Sequence, residues 1–400
     1  MKTNHLSIAN IFIASLILIA TSLLQACSSD EPTPDPVPSR TVIVYMAANN
    51  NLGSQRYDRL DLDEMRSAAS QIPDNSHLVV YHAARHKDPA LIEITKDGDV
   101  TLKTYDGGYS DGLTLTPSRM KEVFSDVESL AKADSYALVL WSHGTGWVET
   151  SDSRSASPLA EAPAATPMPL SFGDDGGTEM KITSLAQALE GRRFDFIYFD
   201  CCLMGSIEVA YELKDAAPVI VASPTELQVY GMPYQMNVPE FFATEPDMVK
   251  AATNTFTYYA NGVNGMSPYC TMSVVETAHL KELADATAAI MRTGALAGPG
   301  YTPVRFYGFY RNSFVDMAHY ISSLPDVDPA LVSAWKAAYD KAVVYKAATP
   351  TYGKYDLTGF GGLSCAMLSA PSDASYMGYD NHAWYRDVVS LNPSLTPAAY

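Results

Sequence analysis

Cysteine is scarce in this chain, with five residues in 400. That is too few for a disulfide scaffold. Basic residues are also thin: 27 Lys and Arg against 45 Asp and Glu leave a formal net charge of −18. A grip on duplex phosphates needs a basic surface, so the composition disfavours nucleic-acid binding. It equally disfavours adhesion to anionic lipid through a basic patch. Charged residues reach only 18% while hydrophobic ones make up 47%, which argues against bulk disorder. The length is enough for a large core in one big domain or two unequal ones. No His-Glu-x-x-His or paired Cys-x-x-Cys points to zinc. There is no glycine-rich phosphate loop and no internal repeat.

Long hydrophobic runs are limited to one, from Ile8 to Leu24, behind the single charge of Lys2. It reads as a signal-peptide core within residues 1–26. Its length also brings a transmembrane helix into consideration. Leu24-Gln25-Ala26-Cys27 resembles the lipobox of bacterial lipoproteins, which makes Cys27 the expected lipidation site and new N-terminus. Ser28-Ser29-Asp30-Glu31 resembles the acidic tag that directs some Gram-negative lipoproteins outward. Residues 27–40 are then a proline-rich tether. The expectation is an outer-membrane lipoprotein, surface-exposed or periplasmic, touching the membrane through its N-terminal lipid only.

Downstream, continuous apolar runs predict buried strands at Thr41–Ala48, His77–His82, Tyr136–Trp141, Phe194–Phe199 and Val219–Ala222. Helical spacing falls between them, at Gly53–Ile72, Pro117–Ala133 and Ser206–Ala216. Glu93–Tyr105 reads as a hairpin around Asp97-Gly98. This alternation predicts an α/β fold, a mostly parallel sheet with helices on both faces. Residues 149–170 break the rhythm with Ser, Ala and Pro and read as a long exposed loop. The main domain is expected over 41–294, with a smaller C-terminal α+β region over 295–400. Helices are expected at Met248–Ala260, Thr277–Arg292, Asp316–Leu324 and Pro329–Ala348, and a strand within Gly361–Leu368.

Two strand ends carry chemistry. One runs into Ser142-His143-Gly144-Thr145-Gly146-Trp147, the other into Asp200-Cys201-Cys202-Leu203-Met204-Gly205. In open α/β sheets, ligands sit at the carboxyl ends of strands. A Cys and a His at adjacent ends suit a Cys–His hydrolase, because a neighbouring imidazole raises the thiolate fraction. The backbone N–H of Gly144 and that of Cys202, at a helix mouth, are candidate donors to an oxyanion. The bland reading is a buried inert thiol and a packed histidine.

These residues resemble the clostripain family of cysteine peptidases, in the clan of caspases, legumains and gingipains. Four stretches carry the resemblance: Val44–Leu52, Trp141–Trp147, Asp200–Leu213, and Val221–Glu226 with Gly231 and Tyr234. The resemblance implies a caspase-like fold and an endopeptidase working through a thioester. It maps the nucleophile to Cys202 and the base to His143. Family members commonly cut after Arg or Lys. The resemblance assigns Asp200 to the pocket for that side chain, while Tyr230 stands where the family carries a second acid. Glu226 is a candidate substitute. Activation by loop cleavage is common in the family and points to Arg154, the single basic residue of 149–170. The sequence requires no cofactor. Calcium is left open by Asp174 and Asp175 in Gly173–Gly177, where a hairpin turn is the competing reading.

The rival function is a caspase-like surface lipoprotein that no longer cuts and binds peptides or glycans. Ser110, in Gly108-Tyr109-Ser110-Asp111-Gly112, matches a nucleophile elbow in spacing but lacks the strand and helix that motif needs. His82 is a second candidate base without adjacent glycines. Cys270 and Cys365 look structural, and the vicinal Cys201 and Cys202 are expected as thiols.

Overall fold

The computed structural model describes residues 38–107, 112–148, 171–297, 314–353, 355–368, 370 and 375–395. The signal segment with Cys27, the Ser110 motif and the 149–170 loop with Arg154 lie outside the described residues.

The strands, in chain order, are β1 (Arg40–Ala48), β2 (His77–Ala84), β3 (Ala90–Thr95), β4 (Gly98–Thr104), β5 (Ser135–Trp141) and β6 (Phe172–Asp175). Then come β7 (Thr178–Met180), β8 (Ile197–Asp200), β9 (Val219–Ala222), β10 (Thr271–Glu276), β11 (Val315–Asp316) and β12 (Val343–Ala348). Nine of them form one sheet in the order β12-β10-β9-β8-β5-β1-β2-β3-β4. The five central strands, β9 to β2, run parallel, and the flanks are antiparallel. The expected mixed α/β architecture is therefore present.

β1 explains why the sheet has two covered faces. All nine of its residues are buried. Ile43, Tyr45 and Ala47 join one core cluster, while Val42, Val44, Met46 and Ala48 join the other. Side chains alternate across a strand, so an unbroken apolar run needs cover on both sides. Helices Pro117–Leu130, Ile182–Leu189, Leu280–Met291 and Pro329–Ala342 cover the first face. Helices Tyr57–Ala68, Tyr234–Phe241 and Met248–Ala260 cover the second.

Three local expectations change. The Glu93–Tyr105 hairpin is not a separate appendage: β3 pairs with β2 and extends the sheet. The helix expected over Pro329–Ala348 stops at Ala342, and the rest becomes β12, antiparallel to β10. Val343-Val344-Tyr345 is β-branched and aromatic, and it pairs with β10 where a further helical turn had no such partner. β10 itself, Thr271–Glu276, escaped the sequence reading because its apolar run is short and sits among helical segments. β12 lies beyond residue 295 and forms the edge of the same sheet.

One buried cation ties the start of β1 to two other elements. Arg40, 6% exposed, pairs with Asp195 at 2.6 Å and donates to the carbonyls of Phe241 and Ala243. Removing it takes this donor from two carbonyls and leaves the part-exposed Asp195, among the described residues, with Ser135 Oγ alone. Arg40→Ala is expected to cost about 2–4 kcal/mol, read as a lower denaturant midpoint with an unchanged m-value.

Candidate active site

After β1 the chain runs to β2 on one side, and it later returns as β5 on the other. The order of strands reverses there, and such a switch point opens a crevice at the carboxyl ends. The neighbours β8, β5 and β1 deliver Asp200-Cys201-Cys202, Ser142-His143-Gly144 and Asn49-Asn50-Asn51 to that edge.

Gly144 shows how closely two of these ends meet. A Cβ on it would lie 2.5 Å from the Cys202 carbonyl oxygen and 2.9 Å from Cys201 Cβ. Only a residue without a side chain allows the His143 loop to lie against the Cys202 backbone. The loop is clamped from the other side by β6: Thr145 N donates to Ser171 O and Gly173 N to His143 O, both at 2.9 Å. Neither the Gly144 N–H nor the Cys202 N–H is used in a backbone hydrogen bond among the described residues.

The two vicinal cysteines have opposite environments. Cys201 is 2% exposed, and its Sγ donates to Leu140 O at 3.0 Å inside the core. Cys202 is half-buried, with Sγ 3.6 Å from Leu227 O. Both are free thiols, as are Cys270 and Cys365. Leu203, directly after Cys202, holds a left-handed φ of 63°. That costs a non-glycine residue about 1–2 kcal/mol, and the turn is held by Leu203 N donating to Thr225 O.

His143 is half-buried, and its Nε2 lies 2.5 Å from Asn51 Oδ1. Facing an oxygen, Nε2 carries the proton of the neutral ring and Nδ1 keeps its lone pair. Asn51 was missed in the sequence. The three consecutive asparagines at the end of β1 are the signal that was there to read. Asn50 caps the next turn through Leu52 N at 2.9 Å and ties to Ala47 O and Asp174 O. Asn49 donates to Asp175 at 2.7 Å. Protein packed around His143 pushes its pKa down to about 4. Burial, with Glu226 adding to it, pushes the Cys202 thiol up to about 12. At rest near neutral pH the pair is a thiol and a neutral imidazole.

The remaining predicted residues separate into two groups. Asp200, 5% exposed, accepts from Met232 N at 3.0 Å and from Tyr234 Oη at 3.1 Å. Tyr230 stacks edge-on to Tyr57 and lines an open groove of about 370 Å³ with Glu64 and Tyr258. Glu226 instead accepts from Tyr352 Oη at 2.7 Å. Its charge is felt by the Cys202 thiol. Tyr352 was not singled out in the sequence. His82 is held by Asp58 at 2.8 Å on β2, three strand positions from β8.

Asp174 and Asp175 form the β6–β7 hairpin. Asp175 accepts from Asn49 and from Thr114 N at 2.8 Å, and Asp174 accepts from Gly177 N at 2.7 Å. Among the described residues no three His, Cys, Asp or Glu side chains converge as a metal site.

A half-buried thiol and an imidazole on adjoining ends of a parallel sheet define a cysteine hydrolase of caspase-like architecture. The sequence model of the clostripain family matches residues 44–357, and the chain belongs to that family of cysteine peptidases. It is similar to the solved structure of a secreted C11 cysteine protease from Bacteroides thetaiotaomicron bound to an irreversible peptide inhibitor. Identity is 31% over 87% of this chain and 98% of that one, with a TM-score of 0.70. An inactive zymogen C11 protease from Parabacteroides distasonis is 28% identical over 88% of this chain and 99% of its own, at a TM-score of 0.72. No curated protein matches the chain.

Gly144→Ala is expected to lower kcat/KM about 100-fold by moving the His143 loop off the Cys202 backbone. Peptide turnover, with circular dichroism as the fold control, checks it.

Proposed function

We propose that the protein is an endopeptidase in which Cys202 is the nucleophile and His143 the base, cutting after Arg or Lys. The observation that carries the dyad is the approach of the Gly144 backbone to the Cys202 carbonyl, which sets the two loops against each other. The thiol proton passes to His143 Nδ1 as Sγ attacks the scissile carbonyl carbon. A carbon–sulfur bond forms, and the carbonyl π pair moves onto oxygen. The N–H groups of Gly144 and Cys202 receive that oxyanion. His143 then hands its proton to the leaving amine, the carbon–nitrogen bond breaks, and a thioester remains. Water attacks the thioester with His143 taking its proton, and the acid and the thiol are regenerated. Asn51 holds the resting tautomer, in which Nδ1 is free to take the proton.

Since both partners rest neutral, the thiolate arises during attack. The acid limit is then set by His143: the base form persists above about pH 4 and is lost as pH falls through that value.

Cys202→Ala is expected to abolish hydrolysis of a peptide library varied at the residue before the cut. Cys201→Ala, which removes a thiol sealed in the core, retains it. Activity surviving Cys202→Ala would overturn the dyad. With an uncharged residue before the cut, wild-type turnover is expected to hold down to about pH 4.

Two further readings concern processing. Cys27 carries the lipid that anchors the mature chain to the outer membrane, on its surface or periplasmic side. Support comes from the Leu24–Cys27 pattern and from the relative described as secreted. No helix among the described residues is long and apolar enough to cross a membrane. Activation proceeds by self-cleavage after Arg154, in keeping with a relative described as an inactive zymogen. Mass spectrometry of the membrane-purified protein is expected to find a lipid-modified chain running from Cys27 to Arg154. An unmodified, uncut chain in active enzyme overturns both readings.

A further inference from the structure

The segment that follows β9 lies along the Cys202 turn. Leu203 N donates to Thr225 O at 2.9 Å, and Cys202 Sγ lies 3.6 Å from Leu227 O. Glu226 sits between those two contacts. Thr225 is fully buried and Leu227 is 8% exposed, while Glu226 is half-buried. Burial thus alternates along the segment, and Glu226 shares the open side with the half-buried Cys202.

A distant part of the chain fixes the Glu226 side chain. Tyr352 Oη donates to Glu226 Oε2 at 2.7 Å. Tyr352 belongs to the hairpin of Thr351–Tyr352 and Tyr355–Asp356 and is fully buried. It packs edge-on against Tyr269, with ring centroids 5.6 Å apart. The hairpin is anchored in turn: Thr349 N donates to Cys270 O at 3.0 Å, and Leu357 N to Pro350 O at 2.9 Å. A phenol locked in this way pins the carboxylate at the crevice. The other acids of these strand ends meet elsewhere. A Cβ on Gly231 would lie 2.8 Å from Asp200 Oδ2 and 2.9 Å from Asp61 Oδ2.

We propose that Glu226, pinned by Tyr352, sets the reactivity of the Cys202 sulfur: its negative charge holds the nucleophile as a thiol in the empty site and turns away anionic electrophiles. This role rests on Cys202 being the nucleophile, and it is separate from the pocket for Arg or Lys.

A carboxylate beside a thiol opposes the second negative charge that a thiolate would bring. Burial is the largest cause of the raised Cys202 pKa and Glu226 the next; the Leu227 backbone works the other way, and Asp200 adds to the rise. The titratable groups around the pair are Asp200 from β8, Tyr269 ahead of β10, Tyr352 from the hairpin and His143 from the end of β5. Burial pushes both phenols up, so they carry no charge. It pushes His143 down, so that ring is neutral and offers the sulfur no cation at rest.

The test is alkylation of Cys202 in the full chain, located by peptide mass spectrometry, with neutral iodoacetamide and anionic iodoacetate. In both, sulfur displaces iodide, a carbon–sulfur bond forms and the thiol proton goes to solvent. Glu226→Gln keeps an oxygen that accepts from Tyr352 and removes the charge. It is expected to lower the thiol pKa by about one pH unit, the low end for a charge within reach. That multiplies the thiolate about 10-fold and makes each thiolate about 3-fold less nucleophilic, a net gain of about 3-fold with iodoacetamide at pH 8. With iodoacetate the gain should reach about 10-fold, because the reagent's own charge is no longer repelled. In the wild-type protein the iodoacetamide rate should climb about tenfold per pH unit from pH 7 to 9, as for a protonated thiol. Equal gains with the two reagents mean a loosened site and overturn the proposal. So does the absence of any gain, or a wild-type rate already level across that range. None of these outcomes touches the nucleophile reading, which stands or falls with Cys202→Ala. If the Gln variant does not fold, Tyr352→Phe replaces it. The charge then stays but loses its clamp, so the iodoacetate rate should rise more than the iodoacetamide rate; unchanged rates overturn the proposal.

Discussion

Strand β1 is the constraint on which the rest depends. It is buried along its whole length and paired in parallel on both sides, by β2 and β5. Parallel pairing sends every carboxyl end to the same edge of the sheet, and the chain leaves β1 in opposite directions before and after the β3–β4 hairpin. The crevice at that edge follows from the connectivity. What fills it is the three asparagines after β1, the His143 loop after β5 and the Cys201–Cys202 turn after β8. Two of these ends are brought into contact by what Gly144 lacks, since any Cβ there meets the Cys202 carbonyl.

Burial then sets the chemistry. A thiol pushed up to about 12 and an imidazole pushed down to about 4 do not form an ion pair at rest. Such a pair keeps the Cys202 thiol protonated while the site is empty. The same desolvation acts on the other side of the β5–β8 seam, where Asp61 and Asp200 resist ionisation without a counter-ion. The Cys202–His143 pair and the Asp61–Asp200 pair thus feel one and the same physical effect. It favours the uncharged form of all four groups.

Much of this was legible in the chain. The apolar runs at 41–48, 136–141 and 219–222 marked buried strands because an unbroken run needs cover on both faces. His143 and Cys202 stood out because each follows such a run and is followed by residues that free the backbone. Less legible were β10 and β12, short segments whose strand state depends on pairing with each other rather than on any local period. Asn51, Asp61, Glu64 and Tyr352 were also missed. Asn51 was marked only by the asparagine run after β1, and the other three acquire their partners when a distant segment folds onto them.

The sequence by itself determined the alternation of strands and helices, the two-faced sheet and the presence of a thiol and an imidazole after two of its buried strands. These rest on local hydrophobic period and on residue chemistry, which a linear reading preserves. Only the tertiary structure decided which of two adjacent cysteines is accessible, which side chain holds the imidazole and which carboxylates lie against the same glycine. Cys201 and Cys202 differ by one position, and the pleat and turn point one into the core and leave the other half open. Asp61 and Asp200 are 139 positions apart, and they meet because strand pairing and helix packing close that distance through the sheet.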